Sequence, residues 1–284
     1  MSKKILLLGS TGKMGLAIRS VFGPDYDIAG RNSGDFDAAD HRQVGKLIEH
    51  EKPDIVMNAV AMLGIDPCEQ EPEKALRINT LYPRFLAELS VKKGFLLVHF
   101  STDAVFSGRG RGFYTEEDTP RPLNVYGLTK YGADCFIRAA AEKYYIFRIS
   151  ALFGEAVKRG QFVEKMLDRI KQGEKVLRVS DDIISSPSYS KDAAREIKRV
   201  LETGAPSGLY HIANKGKTSL CGLMARIVKR LGLDARIEKA SYRDFAHIGI
   251  KNICTPIRSA KLPPLRPWQE AVDEYCDGLK EFTR

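Results

Sequence analysis

Several things are scarce in this 284-residue chain. Its five cysteines (Cys68, Cys135, Cys221, Cys254, Cys276) are odd in number and far apart, with no C-x-x-C pair. That excludes a disulfide framework and points to reduced thiols, hence to a cytoplasmic setting. Its five histidines form no H-E-x-x-H or related cluster, so no metal site is expected. No apolar run approaches the ~20 residues of a membrane helix, so no membrane association is expected. The opening Met1-Ser2-Lys3-Lys4 leads into Ile5-Leu6-Leu7-Leu8, but Gly9 ends that run short of the ~7–15 residues of a secretory core. Internal repeats and low-complexity linkers are also absent.

What is present suits a soluble α/β protein. The length fits one large domain or two closely joined lobes. Lysine and arginine outnumber acids by 45 to 36, a net charge of +9. The basic residues are spread out, without the clusters and interleaved aromatics of a nucleic-acid module, so no nucleic-acid partner is expected. A positive field of this kind favours small phosphorylated ligands.

Along the first half, short apolar runs alternate with helical patterns. Strands are expected at Lys3–Leu8, Tyr26–Ala29, Asp54–Ala59, Phe95–Phe100 and Tyr145–Ile149, with a further short strand just before Asp37. Helices are expected at Met14–Phe22, Arg42–His50, Pro72–Asn79, Pro83–Lys93 and Asn124–Ala141. This alternation predicts βαβ units and a doubly wound parallel sheet of the Rossmann type. Beyond Leu152 the pattern loosens. Helices are read at Phe162–Gln172, Lys191–Glu202 and Ser219–Leu231, extended segments at Val176–Val179 and Leu209–Ile212, and a proline-rich loop at Pro256–Pro267. The expected organisation is a dinucleotide-binding domain over 1–152. A smaller, interleaved C-terminal substrate lobe over 153–284 follows, with about 185–205 returning to the first domain.

Gly9-Ser10-Thr11-Gly12-Lys13-Met14-Gly15 follows the first strand and opens the first helix. Glycines there allow a tight turn and close backbone approach, and the free N–H groups of a helix start attract a pyrophosphate. The spacing is G-x-x-G-x-x-G rather than G-x-G-x-x-G. The second strand runs into Ala29-Gly30-Arg31-Asn32. An acid there would take a ribose hydroxyl; Arg31 instead favours the 2′-phosphate of NADPH, with NADH the alternative. Asp37 is placed to meet the adenine. The small residues Ala59, Val60 and Ala61 leave room for the cofactor.

Tyr126-Gly127-Leu128-Thr129-Lys130 carries the chemistry. Residues four apart share a helix face. A phenol near pKa ~10 is a poor acid–base group alone; a lysine one turn away, together with an oxidised nicotinamide, is expected to lower that value and let it deliver a proton. With 11 tyrosines and 23 lysines, about one chance Y-x-x-x-K is expected in a chain of this length. Context raises its weight. It is the only match, it falls on an expected helix, and it follows Ser101-Thr102-Asp103 at the C-terminal edge of a strand. That edge borders the cofactor crevice in a doubly wound sheet. A Thr102 hydroxyl there can polarise a carbonyl. His99, inside the strand, reads as a satisfied core residue.

Together these segments resemble the extended short-chain dehydrogenase/reductases, and among them the dTDP-4-dehydrorhamnose reductase family. The likeness spans nearly the whole chain. It rests on G-S-T-G-K-M-G (9–15), F-D-A-A-D (36–40), P-D-I-V-M-N-A-V-A (53–61), I-D-P-C-E (65–69), S-T-D-A-V-F (101–106) and Y-G-L-T-K (126–130). It continues through R-I-S-A-L-F-G (148–154), S-P-S-Y-S-K-D-A-A (186–194) and R-P-W-Q-E-A-V (266–272). The resemblance implies hydride transfer from NAD(P)H to carbon 4 of a nucleotide-linked 4-keto-6-deoxy-sugar, in the supply of rhamnose for surface polysaccharide. It implies that Thr102 orients the carbonyl, Tyr126 donates the proton, and Lys130 holds the nicotinamide ribose. It adds Ala38, Asn79 and Ser101 to the cofactor side, and Met62, Asp103, Ala104, Val105, Phe106 and Ala151 to the substrate side. A homodimer is compatible with it. Met62, Ala104 and Ala151 stand where the family usually has large aromatic rings, which reshapes the pocket. The same fold resembles a dinucleotide-binding regulatory subunit of methionine adenosyltransferase. Epimerases and dehydratases of sugar nucleotides share the tyrosine and lysine.

Overall fold

In a computed structural model of the chain, residues 2–110, 112–157 and 160–279 are described. The first half runs β1 (Lys4–Leu8), α1 (Lys13–Phe22), β2 (Asp27–Arg31), α2 (His41–Glu51), β3 (Ile55–Asn58), α3 (Ile65–Gln70), α4 (Pro72–Leu76), α5 (Tyr82–Lys93), β4 (Leu96–Thr102), α6 (Val125–Ala140) and β5 (Tyr144–Ile149). The second half adds β6 (Leu152–Phe153), α7 (Phe162–Lys171), β7 (Val176–Ser180), β8 (Ile184–Ser185), β9 (Ser188–Tyr189), α8 (Ser190–Glu202), β10 (Gly208–Ile212), β11 (Thr218–Ser219), α9 (Leu220–Leu231), β12 (Arg236–Ala240) and α10 (Trp268–Asp277).

Six strands form one sheet in the order β10-β5-β4-β3-β1-β2, parallel at every pairing. Strands covered on both faces become continuous apolar runs, and Ile5, Leu6, Leu7 and Leu8 of β1 are all fully buried. One face packs on α1 and α8, through Ala17, Ile18 and Phe22 against Ala193, Ile197 and Val200. The other packs on α2, α5 and α6, through Val44, Ile48, Leu86 and Ile137. Phe153, Leu167, Tyr189, Met224, Ile227, Trp268 and Val272 build a separate core in the C-terminal half. Thus α8 belongs by packing to the first layer, although the chain reaches it only after α7.

Three expectations need correction. The short strand before Asp37 is absent, and the chain from Asn32 to Asp40 is turn and loop. Its polar side chains bond to their own neighbourhood: Asn32 Oδ1 accepts from Gly34 N (2.8 Å), Asp37 Oδ1 from Ala39 N (2.9 Å), and Asp40 caps α2. Such local bonds compete with a ladder. Second, the two helices expected over Pro72–Lys93 join through a π-helical turn at Arg77–Leu81. A wider turn just ahead of Pro83 suits a residue that has no N–H to give. Third, α3, β12 and α10 form in segments where no element was expected.

Candidate active site

The strand order reverses between β1 and β3, and the site lies at the carboxyl ends of these strands, as expected for a doubly wound sheet. Gly9 turns the chain off β1 at φ +86°, and a Cβ on it would lie 2.9 Å from the Ala59 backbone. A Cβ on Gly15 would lie 2.4 Å from Gly9 O. The loop thus folds against the start of α1 at backbone contact. Helix α1 begins at Gly12 with no side-chain cap and no acid in its first turn. An uncapped helix start of this kind is suited to an anion.

Helix α6, which carries Tyr126 and Lys130, is set from both ends. Asn124 caps α6, its Oδ1 accepting from Gly127 N at 2.8 Å, while its Nδ2 donates to Ile250 O and Asn252 Oδ1 at 2.9 and 2.7 Å. Gly127 lets the helix approach the turn after β4, since a Cβ there would meet Ala104 O at 2.2 Å. Further along, the buried Asp134 pairs with Arg148 of β5 (Nη2 to Oδ2, 2.9 Å) and ties α6 to the sheet.

One cavity of about 250 Å³ gathers most of the residues singled out in the sequence. Gly12, Lys13, Met14, Ala59, Val60, Ala61, Ser101, Thr102, Asp103, Tyr126, Lys130 and Ala151 all line it. Leu63, Phe100, Ile149, Leu152 and Gln161 complete the wall. Ile149 and Leu152 could have been found by the strand-edge rule that found Thr102; Gln161 arrives only through tertiary packing. A larger cavity of about 610 Å³, lined by Phe113, His211, Ile257 and Leu265 among others, holds none of the expected residues.

Other residues sit elsewhere. Thr11 offers its carbonyl to Val157 N (3.1 Å). Arg31 ends β2, but its guanidinium is turned back on Gly30 O (2.9 Å) and paired with Glu51. Asp37 lies on a separate groove with Gln70, Pro72 and Arg77, and Ala38 is buried in the core. Asn79 is a clip: it binds both Met62 N (2.9 Å) and Met62 O (3.0 Å), and reaches Thr129 Oγ1 at 3.3 Å. Met62 is thereby held outside the cavity wall. Val105 and Phe106 are fully buried against Ile257, and Ala104 O accepts from Asn252. Lys13 lines the cavity, yet its ammonium is buried between Gln161 Oε1 (2.7 Å) and Glu164 (3.0 Å), joining the glycine-rich loop to α7.

Burial dominates the electrostatics of the tyrosine and lysine. Burial pushes the Tyr126 phenol well above its ordinary value, the Thr102 hydroxyl offsetting part of the rise and Asp103 adding to it. Burial pulls Lys130 down to about 8, against the opposing pull of Asp134. For Tyr126 the cost of taking a phenolate out of water sets the direction of the shift. Lys130 Nζ is held by Phe100 O at 2.6 Å and by His99 Nε2 at 3.2 Å. Asp103 is closed off by hydroxyls: Ser150 and Thr255 donate to Oδ2, both at 2.7 Å, and Thr102 to Oδ1 at 3.2 Å. Burial raises its carboxyl above the usual range. No helix among the described residues is long and apolar enough to cross a membrane.

Known proteins share this architecture. A spore coat polysaccharide biosynthesis protein of Bacillus subtilis is 31% identical, over 96% of this chain and 96% of its own length. A dTDP-4-dehydrorhamnose reductase of Streptomyces griseus is 30% identical, over 96% of this chain and 93% of that protein. The crystal structure of a dTDP-4-dehydrorhamnose reductase from Bacillus anthracis in complex with NADP matches with a TM-score of 0.92 at 26% identity, covering 98% of this chain and 100% of that one. The family model described as RmlD substrate binding domain matches residues 3–280, and the chain belongs to that family.

Proposed function

We propose that this protein is an NADPH-dependent reductase of the 4-keto group of a nucleotide-linked 6-deoxy-sugar, such as dTDP-4-dehydrorhamnose. The observation that carries the reading is the convergence of Thr102, Tyr126 and Lys130 on one cavity that also contains the uncapped start of α1. The residues fit a dinucleotide: Lys13 and Met14 in the first turn of α1 would receive its pyrophosphate on backbone N–H groups, while Gly12 N donates to Gly9 O (3.2 Å) and holds the loop closed. Ala59, Val60 and Ala61 leave a small-residue wall beside it. Arg31 would meet a 2′-phosphate by leaving Glu51, which keeps Lys4 as its partner at 2.8 Å.

Bound there, the reduced nicotinamide supplies hydride to the carbonyl carbon. The chain supplies the rest. Thr102 is placed at the strand edge by accepting from Ala104 N (3.1 Å); its one proton, donated to Asp103 Oδ1 at 3.2 Å, would turn to the carbonyl oxygen of a bound substrate. Tyr126 holds its proton because burial keeps the phenol well above neutral pH, so the acid is loaded when substrate arrives. It gives that proton from its phenolic oxygen to the substrate oxygen as charge develops. Lys130 lies one turn along α6, drawn to about 8 and so near the point at which it can change charge to meet a phenolate. Phe100, Ile149 and Leu152 exclude water around these groups.

The test is loss of reduced-nicotinamide absorbance when purified protein meets NADPH and dTDP-4-dehydro-6-deoxy-sugar. Tyr126→Phe is expected to lower kcat by about 10²–10⁴-fold, with NADPH affinity little changed. Full activity in that variant would refute the assignment of the acid. A stoichiometric protein partner and no turnover on any keto-sugar would favour the regulatory-subunit reading instead.

A further inference from the structure

Residues 248–255 run as a strap between two anchors. At one end Asp66 of α3 gathers it, Oδ1 accepting from Ile248 N and Gly249 N, both at 3.2 Å, and from Lys251 Nζ at 2.6 Å. At the other end it pairs with β8: Ile184 N donates to Ile253 O (2.7 Å) and Thr255 N to Ile184 O (3.0 Å). Between the anchors the usual partition of side chains is inverted. Ile248, Ile250 and Ile253 are exposed, whereas Asn252 and Thr255 are buried. The inward polar groups are therefore the ones that need partners.

The direction of each bond made by Asn252 follows from the N-cap of α6. Gly127 N–H donates to Asn124 Oδ1 at 2.8 Å, which assigns the oxygen end of that amide. Asn124 Nδ2 therefore faces the strap and donates to Ile250 O (2.9 Å) and Asn252 Oδ1 (2.7 Å). Asn252 in turn donates from Nδ2 to Phe106 O at 2.6 Å and Ala104 O at 3.4 Å. Donation thus runs one way, from the first turn of α6 through two amides to the turn after β4. Thr102 ends β4 just before that turn, and Tyr126 lies two residues past Asn124. The two segments meet without slack, since a Cβ on Gly127 would lie 2.2 Å from Ala104 O. Three residues along the strap, Thr255 Oγ1 donates to Asp103 Oδ2 at 2.7 Å, beside Thr102.

We propose that Asn252 is a positioning residue: with Asn124, its amide sets the spacing of Thr102 and Tyr126 across the cavity. Asn252 lies outside the cavity wall, so it acts through the two segments it joins. Only an amide serves there. The side chain must accept at one end and donate twice at the other. A carboxylate of the same shape would set an oxygen against Phe106 O and Ala104 O. An apolar group would leave Asn124 Nδ2 and both carbonyls short of a partner in a buried place.

The kinetic part rests on the reductase reading; the tie between the two segments does not. Asn252→Asp is expected to lower kcat by about 10–100-fold, while KM for the keto-sugar and the Kd of NADPH stay within about twofold. Asn124→Asp is the second variant. It keeps an acceptor for Gly127 N, so the helix stays capped, but it cannot donate to the strap. Its kcat should fall in the same way, and it decides the matter if Asn252→Asp does not fold. Full kcat in either folded variant would overturn the proposal. So would a loss confined to Tm with kcat unchanged, which is what a merely structural tie gives. Without ligand, amide exchange over 103–106 and 125–128, followed by mass spectrometry, should quicken by about tenfold or more in either variant. Unchanged exchange would also refute the tie. A wild type that turns over no keto-sugar, with exchange quickened in the variants, would sink the function proposed above and leave the tie standing.

Discussion

The ion pair between the glycine-rich loop and α7 makes a measurable claim about how the two halves are joined. Lys13 and Glu164 meet at 3.0 Å with side chains only 2% and 7% exposed. Burial pulls Lys13 below its ordinary range, and Glu164 offsets that loss by charge and hydrogen bond. Lys13→Met keeps the length of the stem and removes the charge, leaving a buried carboxylate without its cation. Removing one partner of such a pair costs about 3–5 kcal/mol. For a chain of this size that is a fall in Tm of about 6–20 °C. Replacing both members by apolar groups is often neutral or better. Lys13→Met/Glu164→Leu should therefore recover most of the loss. Urea unfolding of the wild type, both single variants and the double variant gives the coupling directly. If Lys13→Met lies within about 1 kcal/mol of the wild type, or if the two losses simply add, the pair does not fasten the loop as described.

Two further outcomes follow from the same geometry. Gly15→Ala would place a Cβ 2.4 Å from Gly9 O and 2.6 Å from the Ser10 carbonyl carbon, both backbone, so the loop must move. Overpacking of this kind costs about 1–3 kcal/mol, and NADPH affinity measured by fluorescence titration should fall by tenfold or more. Lys130 gives a pH signature. Its value in the folded state is about 8, against 10.5 for an ordinary lysine. Between these pH values the unfolded chain binds more protons, so stability rises with pH across that window and the burial cost is full below it. Relative to Lys130→Met, the wild type should gain about 3 kcal/mol between pH 8 and 10.5. Taking the difference cancels the buried tyrosines and cysteines common to both proteins. No change in that difference would refute the burial argument.

Much of this site could be read before any coordinates because its chemistry follows periodicities. A glycine loop between strand and helix, a threonine at a strand edge and two residues four apart on a helix are local patterns. The topology of a parallel sheet brings such patterns together. What stayed hidden depends on distance in space. Nothing in the local sequence says that Lys13 meets Glu164, 151 residues away, or that Arg31 turns back to Glu51. Asn79 sits at helical spacing near the crevice, yet it spends all its polar atoms on Met62 and Thr129. Val105 and Phe106 follow Thr102 closely in sequence, but the 3₁₀ turn at Asp103–Val105 carries both side chains into the core. The lost strand before Asp37 fell to side chains that bond their own loop.

In Tyr126 and Lys130 proximity and enclosure pull in opposite directions. Proximity on a helix argues that a cation should lower a phenol's pKa. Enclosure argues the opposite, because taking a phenolate or an ammonium out of water disfavours each charged form. Here both groups are enclosed and the second effect wins for both: Tyr126 moves up and Lys130 moves down. One pocket thus keeps a proton on the phenol oxygen and loosens a proton on the lysine nitrogen, which fits the roles proposed for them. That disposition suits reduction, in which a neutral acid waits for a developing alkoxide. It does not suit oxidation, which must begin from a phenolate.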